Sequence, residues 1–285
     1  MQKNPLIKEF IKLNLVHNKN LKKISDRTRD KKIKVWQDKK TKVILLDRNL
    51  TSNNYYKKKK INIKSKNYNN NLHLTNDAIR RVNQFKKILK NKSVLDFGCA
   101  YGDFLSYLKN SKDLYGIEIR EQCINHIKKN KKYLKIFPDL SFIERKFDII
   151  TLFHVLEHMP KQIQILKQLK KKIKSKGKII IEVPHANDIL FKIEEFKKFS
   201  LWSEHLVLHT KKSLKIILQK AGFKKIKINY FQRYNLNNHM GWMLFNKADG
   251  HVFLKKFMGK NSIKKYDNYL IKNKISDTLI AIATA

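Results

Sequence analysis

The segment VLDFGCAYGDFL, Val94 to Leu105, decides how the rest of the chain is read. An apolar run of strand length, a glycine-bearing turn and the start of a helix follow one another without a spacer. In open parallel sheets, ligands sit beyond the carboxyl ends of the strands where strand order reverses, and the first such turn supplies their seat. Gly98 and Gly102 let backbone approach a ligand, and Ala100 keeps the middle position small. Glu118 closes the next apolar run, about 20 residues after the turn begins, where a carboxylate accepts hydrogen bonds from a ribose diol. The dinucleotide pattern G-x-G-x-x-G is not met.

Working outward, apolar runs alternate with helical patterns. After SVLDFG, Tyr101 to Asn110 fits a helix, Leu114 to Ile119 a strand, and Gln122 to Lys129 a helix. FDIITLF, GKIIIEVP and KIKINYF read as further strands, separated by helices at about Lys161 to Ile173 and Lys211 to Ala221, and DTLIAIATA from Asp277 as a last buried strand. Strands separated by helices imply parallel crossover units covered on both faces, an α/β fold. Upstream, Ile79, Val82, Phe85 and Leu89 recur at helical spacing in a helix beginning at Thr75. Residues 1–74 read as an appendage with a hairpin, Ile33 to Trp36 and Val43 to Asp47, and a Lys/Asn-rich linker or lid that includes Tyr55, Tyr56 and Asn67 to Asn71. Residues 75–285 form the main domain, with an elaboration at about 233–274.

Of 285 residues, 42% are hydrophobic, enough to build a core and to exclude wholesale disorder. The first 25 residues carry lysines throughout and lack the apolar stretch of a secretory signal, and no run approaches the ~18 apolar residues of a membrane span. A soluble, cytoplasmic protein is expected. Cys99 and Cys123 are too few for a disulfide framework or a cysteine-rich zinc site. Lys+Arg total 64 against Asp+Glu 23, a net charge of +41 that draws a protein toward phosphates. Arginine, which grips phosphates bidentately, is nevertheless scarce beside lysine. Lysine, asparagine and isoleucine are inflated together, as in AT-rich coding sequences, so the charge reads chiefly as a solvated surface.

The turn and its surroundings resemble the class I S-adenosylmethionine-dependent methyltransferases, over Thr75 to the C-terminus. Asp96, Gly98, Ala100 and Gly102 look like the family's acidic residue and G-x-G-x-G loop, with alanine in place of one glycine. Glu118 matches the ribose-binding acid, Phe147 to Pro160 is similar to the segment following the fourth strand, and Gly177 to Pro184 to the fifth strand. The resemblance implies a Rossmann-like, mostly parallel seven-stranded sheet with an antiparallel last strand, DTLIAIAT, and S-adenosyl-L-methionine as cofactor. By the same resemblance the Gly98 to Gly102 loop holds the methionine part and Asp96 reaches its ammonium. Glu118 and Ile119 take ribose and adenine, Asp139 and Leu140 the adenine edge, and Phe153 and His154 line the pocket beneath the methyl group. The tail, EVPH followed by Ser203 to Phe223, resembles a bacterial small-molecule branch that acts in surface-polysaccharide, sugar-nucleotide or secondary-metabolite pathways. The hairpin lacks the cysteines of a zinc ribbon found in some of these relatives.

Three histidines are candidates on the acceptor side. His205 is the first choice for a general base, His185, directly after the fifth strand, is the second, and His154 lies under the methyl group. His154, Glu157 and His158 are spaced as a metal site would be, yet a strand-to-helix corner satisfying backbone groups accounts for them, and no metal is expected. Cys99 reads as a small buried filler. Arg233, Tyr234, Asn238, His239 and Trp242 are equally readable as an acceptor pocket or a surface loop, and Asp26, Arg27, Arg29 and Asp30 as salt-bridged turn residues. The expected activity is methyl transfer to a small molecule such as a sugar or sugar nucleotide, a lysine-lined cleft suiting an anionic acceptor. An RNA or DNA methyltransferase is disfavoured, since HVLEHMP stands where an N-P-P-Y tetrad belongs. A non-catalytic cofactor-binding module is the other rival.

Overall fold

In the computed structural model, residues 2–58, 68–109, 111–248, 250–254 and 259–285 are described. The lysine/asparagine-rich stretch at 59–67 lies outside them. Near the N-terminus, β1 (Gln2–Lys3) precedes α1 (Pro5–Lys12). Asn4 caps α1 by accepting from the Leu6 N–H, Pro5 supplies the preset first-turn φ, and Leu6 and Phe10 are buried. Strands β2 (Leu21–Ser25), β3 (Val35–Asp38) and β4 (Ile44–Leu46) form an antiparallel meander, and β5 (Arg48–Asn49) pairs with β1. The expected hairpin is present, with Val35 opposite Leu46.

Helix α2 (Asn53–Lys58) carries Tyr55 and Tyr56, and α3 (Tyr68–Leu89) runs for 22 residues, starting earlier than Thr75. Its buried face is Ala78, Phe85 and Leu89, whereas Ile79 is 40% exposed. The apolar stripe passes through Ala78 because the other side of that turn presents Arg80 and Arg81 to a buried carboxylate.

The main sheet follows: β6 (Ser93–Phe97), α4 (Asp103–Ser106), β7 (Asp113–Ile117), α5 (Glu121–Asn130), β8 (Lys135–Phe137), β9 (Phe147–Phe153), α6 (Gln162–Lys171) and β10 (Ile173–Pro184). Then come α7 (Glu194–Ser200), β11 (Val207–Leu208), α8 (Lys211–Lys220) and β12 (Lys224–Phe231). Helices α9 (Leu236–Phe245), α10 (Gly250–Phe253) and α11 (Lys260–Lys272) build the elaboration, and β13 (Thr278–Thr284) ends the chain. The seven-stranded order is β12-β13-β10-β9-β6-β7-β8, parallel except that β13 runs antiparallel to both neighbours. This is the Rossmann-like α/β architecture expected. Helix α4 is shorter than the expected Tyr101 to Asn110. Gly102 adopts φ +70° and delays the start, and buried Leu108 turns the chain back toward β7.

The N-terminal meander is completed by a strand from much later in the chain. β11 pairs antiparallel with β4, and the Asn4 side-chain amide donates to both Leu46 and Leu206 carbonyls at 2.9 and 2.8 Å. One hydrophobic core therefore runs from Leu6 and Phe10 through Leu45 and Leu206 to Ile181 and Leu279. A second cluster, with Phe85, Val94, Phe104 and Ile180, packs α3 and α4 on the sheet's opposite face.

Chain reversal occurs at β6 and β9, so the crevice above their carboxyl ends is where a ligand belongs. Packing below it is tight. A methyl group on Gly116, one residue before the end of β7, would lie 2.6 Å from both Cys99 Sγ and Ile136 Cδ1. Gly116→Ala is therefore expected to lower stability by about 1–3 kcal/mol, read as a lower urea midpoint at unchanged slope; an unaltered midpoint refutes the close packing of loop on strand.

Candidate active site

Four strand ends converge on one cavity of about 1380 Å³: β6 at Phe97 and Gly98, β7 at Ile117 and Glu118, β9 at Phe153 and His154, and β10 at Pro184 and His185. Asp96, Gly98, Ala100, Glu118, Ile119, Asp139, Leu140, Phe153, His154, His185 and His205 all line it. Gly102 does not. It begins α4 in the left-handed region and its Cα faces Leu134 and Ile127 on the far side of the loop.

Left-handed backbone shapes the loop. Gly98 has φ +82° and Ala100 φ +49°, the latter costly for a side chain but smallest for alanine. The Gly98 and Cys99 N–H groups both donate to the Ile117 carbonyl, at 2.8 and 3.0 Å, lashing the turn to the end of β7. Cys99 is buried and its thiol is pushed well up by burial, consistent with a filler. Asp96 is buried and accepts from Thr151 Oγ1 at 2.6 Å; burial raises its carboxyl to about 6 against that hydrogen bond.

Glu118 is 2% exposed and densely bonded. It accepts from the backbone N–H groups of Ala100, Ile119 and Arg120, each at 2.9 Å, and from the Arg120 guanidinium at 2.8 and 2.9 Å. Burial opposes the charge, but Arg120 and the backbone donors outweigh it and hold the carboxyl below its ordinary value. Asp139 caps the short turn Leu140–Phe142 through the Ser141 N–H at 2.8 Å.

On the floor of the cavity lies a charge network that the sequence did not announce. Glu182, on β10, has no exposed side-chain surface and accepts from Arg80 at 2.8 and 3.0 Å and from Arg81 at 2.7 Å. His154 bridges two buried carboxylates, with Nδ1 3.3 Å from Glu157 and Nε2 3.2 Å from Glu182. Burial disfavours its cation, but those carboxylates raise its pKa overall. Asp77 pairs with Arg80 and with Arg233, so α3 and the loop after β12 are tied to the same centre.

The far wall is polar and aromatic. Arg233, Tyr234, Asn238, His239 and Trp242 face the cavity, held there because Asp277 accepts from the Arg233 and Tyr234 N–H groups at 3.0 and 2.9 Å. The expected salt-bridged turn near Asp26 is arranged differently. Asp26 pairs with Lys23, Asp30 accepts from the Ser203 hydroxyl, and Arg29 lies over Phe199 and Trp202 at 4.1 and 4.5 Å, on the cavity wall.

The histidines separate. His185 is buried, and its Nδ1–H donates to the Ser276 carbonyl at 2.8 Å; burial lowers its pKa to about 4. His205 meets the ring of His158 edge-on at 4.9 Å. His209, four residues on, turns inward to Ser213 and Phe10 because Val207–Leu208 is extended. Arg81, Arg120 and Trp202 also line the cavity without having been singled out in the sequence, as do Arg29 and Tyr56, which it offered as a turn residue and a linker or lid residue. The signal available was arginine itself: of eight in a lysine-rich chain, four line this cavity.

A methyltransferase-domain family model matches residues 70–228, more than half of the chain. Similar solved structures include a SAM-dependent methyltransferase from Archaeoglobus fulgidus, at 21% identity and TM-score 0.52, covering 74% of this chain and 94% of that one. Another is magnesium protoporphyrin IX methyltransferase from Synechocystis with bound SAH, at 13% identity and TM-score 0.51, covering 80% and 90%. Among curated relatives, the tRNA U34 carboxymethyltransferase of Aliarcobacter butzleri is 28% identical over 49% of this chain and 50% of its own length. The ubiquinone biosynthesis O-methyltransferase of Coxiella burnetii is 30% identical over 41% and 53%. The chain thus spans about half the length of these curated relatives. With its strand order, reversed seventh strand and loop at the β6 end, the chain belongs to the methyltransferase-domain family and has the class I S-adenosylmethionine-dependent methyltransferase fold.

Proposed function

We propose that this protein is an S-adenosylmethionine-dependent methyltransferase acting on a small molecule, of sugar or sugar-nucleotide type. One observation carries the reading: the Gly98 to Ala100 turn and Glu118 share a single cavity with a wall of arginine, tryptophan and histidine. Bound there, S-adenosylmethionine supplies an electrophilic methyl group on a sulfonium. The residues fit that group. Asp96, with its raised pKa, is a site for an ammonium, whose charge favours the ionised carboxylate. Arg81, beside it and over the ring of Phe153 at 4.6 Å, is the counterpart for a carboxylate. Glu118 takes the ribose diol when the Arg120 guanidinium, 22% exposed, swings aside, while the three backbone donors keep the carboxylate in place. Ile119, Asp139 and Leu140 border the adenine, and Phe153 with His154 the methyl group.

The opposite wall suits the acceptor. Trp202, with the Arg29 guanidinium over its ring, gives the acceptor an aromatic wall and an anion seat, and buried Trp242 backs that wall through Phe196 and Phe199. His185 and His205 are the imidazoles positioned to receive an acceptor proton, and His185 stays neutral at physiological pH. Most of the rate comes from alignment and exclusion of water. A tRNA acceptor is the second reading, favoured by the net charge of +41 and by the relative named for tRNA U34.

Two variants and one panel check these assignments. Glu118→Gln is expected to weaken S-adenosylhomocysteine binding more than tenfold by calorimetry; an unchanged affinity removes the ribose assignment. Glu182→Gln leaves two arginines and His154 facing a neutral amide, at a cost of about 3 kcal/mol. Because Glu182 is held well below its ordinary value of 4.5, that cost is complete above about pH 4.5 and shrinks as pH falls below it. A denaturation midpoint gap independent of pH from 3 to 7 contradicts this. Finally, mass gain is measured with sugar nucleotides, extract metabolites and unmodified tRNA. Turnover confined to small molecules supports the first reading, and methylation of tRNA alone replaces it with the second.

A further inference from the structure

We propose that Glu157, His158 and His205 form a binding site for one divalent transition-series cation, placed against the acceptor end of the cavity. Sequence spacing pointed to a different trio. The chain does not continue as an α-helix after β9: His154 sits at φ +54°, and Leu156–His158 form a single 3-10 turn. His154 consequently spans Glu157 and Glu182 with its two ring nitrogens, and the residue that joins Glu157 and His158 as a third donor is His205, from the loop before β11. One ligand atom from each of Glu157, His158 and His205 lies within 4.8 Å of the others.

Three features distinguish this cluster from a chance meeting of polar groups. Glu157 has no exposed surface; its Oε1 meets His154, while Oε2 is buried without a hydrogen-bond partner. A buried carboxylate oxygen left in that state is costly unless something of opposite charge arrives. His158 places Nδ1 3.0 Å from the Glu204 carbonyl, which can accept only from a protonated nitrogen. With Nδ1–H donating to that carbonyl and the Tyr56 hydroxyl, 3.3 Å from the same nitrogen, as a second acceptor, Nε2 carries the lone pair, the arrangement of a ligating imidazole oriented by a backbone carbonyl. The Leu206 N–H donates to the Glu157 carbonyl at 2.9 Å, so the loop carrying His205 is tied to the turn carrying the other two residues.

The donor set selects the ion. Two imidazoles and one carboxylate match zinc, manganese, iron or cobalt better than calcium or magnesium, which take mainly oxygen. Three atoms no more than 4.8 Å apart leave a central point at most about 2.8 Å from each, so the side chains need close by no more than roughly 0.7 Å to reach bonding distance. His158 and His205 both face the cavity, so the remaining coordination positions open toward the acceptor. If the methyl-transfer reading holds, on which this role but not the site itself depends, the cation polarises an acceptor hydroxyl and lowers its pKa. It then does the work otherwise asked of a histidine base.

The test uses the full-length protein, stripped with chelator, and zinc or manganese alone as the probe. Calorimetry is expected to give one site of micromolar or tighter affinity, and manganese electron spin resonance to show coupling to imidazole nitrogen. Glu157→Gln and His205→Ala should each weaken binding by more than the ten- to hundredfold that loss of a supporting partner brings. S-adenosylhomocysteine affinity, measured on the same samples, should stay within threefold, which establishes folding and tests the cofactor seat separately. If Glu157→Gln does not fold, His205→Ala and His158→Ala decide. No stoichiometric binding, or binding that survives these substitutions, overturns the site; lost S-adenosylhomocysteine binding by the unaltered protein overturns the cofactor reading and leaves the metal result standing.

Discussion

Glu182 is a carboxylate with no access to water near the carboxyl end of β10, between a parallel and an antiparallel neighbour, and its charge obliges the surrounding chain to supply cations. Arg80 and Arg81 answer from α3, and His154 from the end of β9. Removing a charge from water costs several kcal/mol, and only close, multiply bonded partners recover it. The helix before the first core strand is therefore held over the crevice by electrostatics as well as by Phe85 and Leu89. The left-handed corner at His154 is tolerated because its side chain spans two anions. Geometry at the bottom of the cavity thus follows from one buried acid.

The reversed last strand came from the family resemblance alone, whereas the succession of core strands along the chain other than β8, the position of the loop and the acid at the end of β7 were legible in the residues. Each depends on short-range rules: an apolar run of strand length, a glycine turn and a fixed distance to the next run. Ile79 shows where such rules end. Its spacing fits the helix stripe, but the face chosen at that turn is set by where Glu182 lies 100 residues later in the chain. Glu118 was readable as a ligand for ribose, yet nothing in its neighbourhood announced that the adjacent Arg120 folds back onto it. His205 was visible as an isolated histidine; its meeting with His158 is produced by pairing between β4 and β11, a contact with no sequence signature. Residue type carried more than spacing here. Where lysine fills nearly every basic position, the few arginines mark places that need a planar, bidentate cation.

The walls proposed for the acceptor and for the cofactor draw on different parts of the chain. Gly98, Glu118 and Asp139 come from consecutive crossover units, which fold around their own loops. Arg29, Tyr56, Trp202 and Trp242 come from the N-terminal meander, α2, the segment before β11 and the late helical elaboration. Such a division lets one half of a cavity vary while the other keeps its chemistry.

The strand that β11 lends to the N-terminal meander has a bearing on how this chain can be re-engineered. Because Val207 and Leu208 belong to one unit by sequence and to the other by hydrogen bonding, the two share an edge and not merely a surface. A chimera cut at residue 74 separates a sheet from one of its own members, leaving Leu206 without the asparagine amide that anchors it. Recombination there among relatives therefore requires the donor's segment around 203–209 to be transferred together with its N-terminal residues.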